Sequence, residues 1–213
     1  MKAYIFDLDG TLFDSMDVWK DIDVKFLKKR GIDVPTDYMD IILSMSLVEI
    51  ASYTVKRFNL PDSIEDVTKE WNAMAKYAYE NKILMKPFAK EYLLSLYKSK
   101  AKLAVATGLP NELFIPALRN HGIYEMFQVH CSTNEVKHGK VNPEIFLFTA
   151  KKLGVSTHEC VVFEDTLEAI KSAKSIGMTV YGVYDKASNS QWEQIKQISD
   201  GNFSNFKFAP LPK

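Results

Sequence analysis

Ala3-Tyr4-Ile5-Phe6-Asp7-Leu8-Asp9-Gly10-Thr11 runs a short apolar stretch straight into two acids, a glycine and a hydroxyl. The stretch is aromatic and branched, which predicts a buried strand. Residues 102–106, 127–131, 160–163 and 179–183 share that character. Helical patterns separate the later runs, over about 112–121, 143–153 and 167–176. The last two lead into Gly154 and Gly177, glycine being the residue that most readily closes a helix. Strand and helix in alternation predict βαβ units and a parallel α/β sheet. An antiparallel mixture would need hairpin turns, and no Asn-Gly or Asp-Gly joins two strand-like runs.

The first two strands break this rhythm, because the chain between them far exceeds the roughly dozen residues a crossover requires. Residues 16–82 are almost wholly helical in pattern. Val18, Ile22 and Phe26, with Trp19 and Leu27 beside them, form one face. Ile64, Val67, Trp71, Met74 and Ala78 follow at helical spacing, and Ser63 with Asp66 resembles a capping box at the entry. An all-α domain inserted after the first strand is predicted, hinged near 12–15 and 82–87. Residues 15–85 would form the insert, and 1–14 with 86–213 a discontinuous α/β core.

Composition narrows the function classes. The 213 residues carry 27 Lys and Arg against 27 Asp and Glu, so there is no basic field for a phosphate backbone and nucleic acid is not an expected partner. A 46% hydrophobic content can fill a core, which argues against disorder. The run before Asp7 is too short for a signal peptide, and nothing approaches the roughly 20 apolar residues of a membrane span. Cys131 and Cys160 stand far apart in apolar company and read as core residues of a reduced, cytoplasmic protein.

Chemistry gathers where strands end, the edge at which parallel sheets collect ligands. Asp7 and Asp9 leave the first strand together, and two such close carboxylates need a cation or a shared proton. A calcium loop is excluded, because its glycine is the sixth residue and Gly10 is the fourth. Thr107 and Gly108 offer a hydroxyl and free amides after the second strand, suited to phosphate oxygens. Lys140 precedes a helix start and can lean over the crevice. Glu164 and Asp165, after the fourth strand, would complete a hard oxygen site for Mg²⁺. Taken singly these residues also fit a capping turn, a loop hydroxyl, a solvated lysine and acids at a helix N-terminus. Their recurrence at successive strand ends favours one site.

In this order, Asp7-x-Asp9-Gly10-Thr11, Thr107, Lys140 and Glu164-Asp165 resemble the motifs of the haloacid dehalogenase-like hydrolases. The helical insert is similar to the cap of the group containing β-phosphoglucomutase and many sugar-phosphate phosphatases. The resemblance spans nearly the whole chain, including 161–166 and 173–178. It implies a Rossmann-like three-layer core and a cap domain. It also implies that Asp7 attacks phosphorus to form an aspartyl-phosphate. Mg²⁺ would be held by Asp7, the carbonyl of Asp9 and Asp165, with Glu164 in or near the shell. Asp9 would shuttle the proton, while Thr107, Gly108 and Lys140 hold the phosphoryl oxygens. Asp9 also argues against dehalogenation, since relatives doing that chemistry lack the second acid.

Departures from the family pattern refine the expectation. Trp19 stands about where phosphoglucomutases have a cap histidine, Leu47 about where they have an arginine, and Thr11 where they often have an aliphatic residue. All three favour a phosphatase over a mutase. Val141 and Ala169 replace a usual Pro and a frequent Gly without removing a catalytic group. The expected activity is Mg²⁺-dependent hydrolysis of small phosphorylated metabolites, sugar phosphates first. The alternatives are a β-phosphoglucomutase-like isomerase and a phospho-accepting module without turnover. Trp19 is a cap candidate for substrate contact, together with Asp17 and Lys20 beside it, while His138 reads as a loop residue. The substrate itself and the oligomeric state are left open, a monomer being sufficient. Phosphate loops of the Gly-x-x-x-x-Gly-Lys kind, Gly-x-Gly-x-x-Gly, Gly-x-Ser-x-Gly and His-Glu-x-x-His are absent from the sequence.

Overall fold

The computed structural model describes residues 2–42 and 45–211; Met1, Leu43, Ser44, Pro212 and Lys213, which the domain assignment includes, lie outside them. Ala3–Phe6 forms β1, and a two-residue strand β2 (Phe13–Asp14) leads into α1 (Met16–Lys29), α2 (Tyr38–Ile42), α3 (Leu47–Phe58) and α4 (Ile64–Asn81). The chain returns through β3 (Leu84–Met85) to α5 (Ala89–Lys98), β4 (Lys102–Thr107), α6 (Asn111–Asn120) and β5 (Val129–Ser132). It continues as α7 (Glu144–Leu153), β6 (Cys160–Glu164), α8 (Leu167–Ser175), β7 (Thr179–Val183), α9 (Trp192–Ile198) and β8 (Gly201–Phe203).

Among the described residues, six strands make one sheet in the order β5-β4-β1-β6-β7-β8, and each pairing in it is parallel. The short, doubly buried runs form its centre, as expected of a sheet covered on both faces. Alternation along β1 sends Tyr4 and Phe6 to one face, into a core shared with α5, α6 and the inserted helices, and Ala3 and Ile5 to the other, against α7, α8 and α9. Phe6 stacks on Phe163 of β6 with ring centroids 4.7 Å apart. Full burial of such a side chain contributes about 1.5–3 kcal/mol. The result is the three-layer α/β fold with helices inserted after its first strand.

Several local expectations change. The third strand begins at Val129 rather than at residue 127. Gln128 binds Leu103 through both its backbone and its side chain, and Phe127 turns its ring edge onto Phe6 in the core. Ile64, in the first turn of α4, is 39% exposed, whereas Val67 and Trp71 are buried. Ser63 accepts the Asp66 N–H at 3.1 Å, but the Asp66 carboxylate takes the Ser63 hydroxyl at 2.6 Å, so the cap is one-sided. Gly154 and Gly177 do adopt the left-handed backbone that closes a helix.

The two connections that carry the insert are tied to each other. β2 pairs with β3 antiparallel, Phe13 opposite Met85 and Asp14 opposite Leu84, and the Lys86 N–H donates to the Leu12 carbonyl at 2.8 Å. The inserted helices also touch the core across the crevice, where Ser190 Oγ donates to Asp40 Oδ1 at 3.0 Å. Cys131 and Cys160 are buried free thiols. Among the described residues no helix is long and apolar enough to cross a membrane.

Candidate active site

Register alone brings the first acids together. Phe6 lies opposite Phe163, so Asp7 leaves β1 beside Glu164, and its N–H continues the ladder onto the Phe163 carbonyl at 3.1 Å. The chain then turns sharply, the Leu8 carbonyl accepting from the N–H groups of Thr11, Leu12 and Phe13. Gly10 makes the turn possible. Its φ is +75°, and a Cβ there would lie 2.2 Å from Asp165 Oδ2. The turn delivers Thr11, whose hydroxyl donates to Asp165 Oδ1 at 3.0 Å.

Asp7, Glu164 and Asp165 are buried, with a carboxylate oxygen of each within 4.8 Å of the others. Lys140 enters this cluster, its Nζ donating to Glu164 Oε2 at 2.8 Å and pairing with Asp7 Oδ1. Glu164 Oε1 is filled from its own side, by the N–H groups of Asp165 and Thr166 and by the Thr166 hydroxyl. Asp165 Oδ2 is buried and has no hydrogen-bond partner. Burial pushes the Asp7 carboxyl up from its ordinary value; Lys140 opposes the rise, and Glu164 and Asp9 add to it. Burial raises Asp165 as well, reinforced by Glu164 and Asp7. Burial works against the Lys140 ammonium, but Asp7 and Glu164 outweigh it and keep the ammonium charged. Three buried acids against one lysine, with an oxygen left unpartnered, suit a hard divalent cation.

Asp9 is placed differently. Ser15 Oγ donates to its Oδ1 at 2.5 Å, the Tyr79 hydroxyl donates to the same oxygen, and Trp19 Nε1 donates to Oδ2 at 3.0 Å. Trp19 Nε1 also reaches the Tyr79 hydroxyl at 2.6 Å. Burial raises the Asp9 carboxyl above its usual value, and the three donors restrain the rise. The Asp9 side chain is therefore held by the hinge and the inserted helices, apart from the Asp7, Glu164 and Asp165 cluster, and only its backbone remains free to join a cation site.

Asp7, Asp9, Lys140, Glu164 and Asp165 line a crevice of about 570 Å³ between the sheet edge and the inserted helices. Thr107, Gly108, Asp17, Trp19 and Lys20 line it too, whereas His138 is exposed and does not. Thr107 Oγ1 accepts the Leu109 N–H at 3.1 Å, which leaves its own O–H to donate. Lys140 is not the sole cation in the crevice. Lys86, directly after β3, is buried and donates to Asp185 Oδ2 at 2.7 Å and to the Tyr184 carbonyl at 2.8 Å. Sequence reading passed over Lys86, Asp185, Ser15 and Tyr79. Asp185 could have been suspected as an acid just past a strand end; Tyr79 carries no such signal.

Residues 4–183 match the family model described as haloacid dehalogenase-like hydrolase. The chain is 29% identical to the phosphorylated carbohydrates phosphatase of Thermotoga maritima, over 86% of this chain and 85% of that one. It is 27% identical to a probable pseudouridine-5'-phosphatase of Drosophila melanogaster, over 85% of this chain and 80% of the relative. The crystal structure of β-phosphoglucomutase from Clostridium difficile superposes with a TM-score of 0.83 at 23% identity, covering 99% of this chain and 93% of that one.

Proposed function

The chain belongs to the haloacid dehalogenase-like hydrolase family, and we propose that within it the protein is a Mg²⁺-dependent phosphatase of small phosphorylated metabolites, sugar phosphates foremost. Its phosphatase relatives place it among the phosphoric monoester hydrolases. The observation that carries the finer reading is the buried Asp7, paired with Lys140 beside the unpartnered Asp165 oxygen.

Asp7 attacks phosphorus, a P–O bond forms to its carboxylate, and the ester P–O bond breaks. Asp9, whose carboxyl is raised above its usual value by burial, delivers a proton to the departing alcohol oxygen. Water then attacks the aspartyl-phosphate, and the Asp9 carboxylate takes the proton that water loses. The Thr107 hydroxyl, the Gly108 amide and Lys140 hold the phosphoryl oxygens in both steps, where fixed charge is worth most. Asp7, Asp165, the Asp9 carbonyl and Glu164 would hold Mg²⁺, which would supply positive charge to keep Asp7 ionised and to attract the phosphate dianion. Residues 15–85 act as a cap that roofs the crevice and excludes bulk water, over a core of 1–14 and 86–213. Trp19 lies between the Asp9 loop and the substrate space. The buried thiols accord with a reducing, cytoplasmic setting.

Leu47 and Trp19 on the crevice wall provide no charge for a second phosphate, which favours hydrolysis over a mutase reaction. The test is phosphate release from a panel of sugar phosphates, with and without Mg²⁺. Many equivalents of phosphate per enzyme, only with Mg²⁺, are expected. Interconversion without release would indicate a mutase, and release that stops at one equivalent would indicate a phospho-accepting module.

A further inference from the structure

Asp23 lies in the middle of α1, where no helix end needs capping, and it is 5% exposed. It lines the crevice, and among the described residues no hydrogen-bond donor or cation is paired with its carboxylate. Its neighbours at helical spacing are Trp19, Lys20, Phe26 and Leu27, of which Lys20 points to solvent. Burying a carboxylate without a donor or cation beside it is unfavourable, and the crevice is the side from which a partner can reach it. Met39, Ile42, Leu47 and Ile50 of the inserted helices add apolar side chains to the same crevice. Trp71, on the same wall, likewise has its indole N–H without an acceptor.

The position of Asp23 on α1 specifies what it can meet. Trp19 and Asp23 stand four residues apart, on one helix face. Trp19 reaches Asp9, so Asp23 sits one turn farther out, about 6 Å along the axis. A phosphate ester bound at Asp7, with its alcohol oxygen near Asp9, would extend its far end toward Asp23. We propose that Asp23 is the specificity residue of the cap: it accepts a hydrogen bond from a hydroxyl at the far end of a neutral sugar or polyol monophosphate and disfavours esters carrying a second anion there. A hydroxyl suits the site because it donates to the carboxylate and keeps lone pairs for an N–H such as that of Trp71. A second phosphate would meet a buried carboxylate, and of the described lysines lining the crevice away from Asp7, Lys86 is already paired with Asp185 while Lys20 and Lys186 are exposed to solvent.

The proposal rests on the phosphatase reading, and its test separates the two. With Mg²⁺ present, kcat/KM is measured on glucitol 6-phosphate, glucitol 1,6-bisphosphate and 4-nitrophenyl phosphate for the wild type, Asp23→Asn and Asp23→Leu. The expected result is a wild-type preference for the monophosphate, and a ratio of glucitol 6-phosphate to nitrophenyl phosphate that falls at least about 10-fold in Asp23→Leu. Asp23→Asn, which keeps an acceptor oxygen and loses the charge, should fall less and gain on the bisphosphate. An unchanged ratio, or a wild-type preference for the bisphosphate, overturns the proposal. Calorimetric binding of glucitol 6-phosphate to Asp7→Asn, with and without Asp23→Leu, decides the point without turnover. Absent hydrolysis in the wild type would then sink the phosphatase reading, while binding unaffected by Asp23→Leu would sink this one.

Discussion

Trp19 Nε1 donates to Asp9 Oδ2 at 3.0 Å, so the first inserted helix holds the acid two residues beyond Asp7. Tyr79, from the far end of α4, binds the other oxygen of the same carboxylate. Asp9 thus depends for its orientation on two helices remote in sequence. Tyr79→Phe keeps the buried ring and removes only this donor. A fall in kcat/KM of about 10-fold is expected, with the melting temperature little changed. Unaltered kcat/KM in a folded variant would show that the Tyr79 bond does not position Asp9 for reaction.

The orphaned Asp165 oxygen leads to a metal-linked stability prediction. Mg²⁺ that binds the folded chain alone should raise its melting temperature, by an amount equivalent to about 2.7 kcal/mol at a hundredfold excess over Kd. Chelation should remove both that increment and the activity. Asp165→Asn should melt at the same temperature with and without Mg²⁺. A Mg²⁺ increment retained in Asp165→Asn would mean that the ion binds elsewhere.

Asp23 provides a pH-dependent counterpart. Burial pushes its carboxyl up to about 7, against about 3.9 for an ordinary aspartate. A raised folded value means that stability is fully present below the unfolded value and is lost as pH climbs through about 7. Asp23→Asn removes the titration. The variant should therefore melt close to the wild type near pH 4 and above it near pH 8, as read by paired thermal scans. Equal differences at the two pH values would contradict the burial of an unpaired charge.

Gly139, next to Lys140, marks where the cap rests on the core. A Cβ there would lie 2.5 Å from Glu49 Oε2 and 3.2 Å from Ser46 N. Glu49 Oε2 is itself the acceptor of the Ser46 N–H at 2.7 Å, in the capping box that starts α3. Gly139→Ala should displace this contact and lift the cap, lowering kcat/KM about 10-fold without changing helix content by circular dichroism. Full activity in that variant would show that the contact plays no part in the working enzyme.

How much of this could be read in the sequence follows from which forces are local. Ala3–Phe6 was legible because a doubly buried strand must be apolar throughout, and Thr179–Val183 because its branched and aromatic residues favour a strand. Asp7, Glu164 and Lys140 were legible as candidates because the ends of parallel strands converge whatever lies between them. The two-residue β2 and β3 are too short to show any period, and Gly201–Phe203 of β8 has no branched run to announce it. Tyr79 reads as one more aromatic in an amphipathic helix, and its bond to Asp9 exists only once that helix docks. Asp23 was hidden by its charge, which suggests solvent even though its spacing from Trp19 and Leu27 puts it on the apolar face, and only the folded crevice shows it buried.

If Asp7 carries the phosphoryl group, acid quenching of the wild type during turnover of a sugar phosphate with Mg²⁺ should trap the group on it. The peptide spanning Asp7 should then bear one acid-stable, base-labile phosphoryl group by mass spectrometry, and Asp7→Asn should neither acquire it nor release phosphate. Phosphate release from Asp7→Asn at the wild-type rate, or turnover with the label on another residue, would rule out Asp7 as the nucleophile.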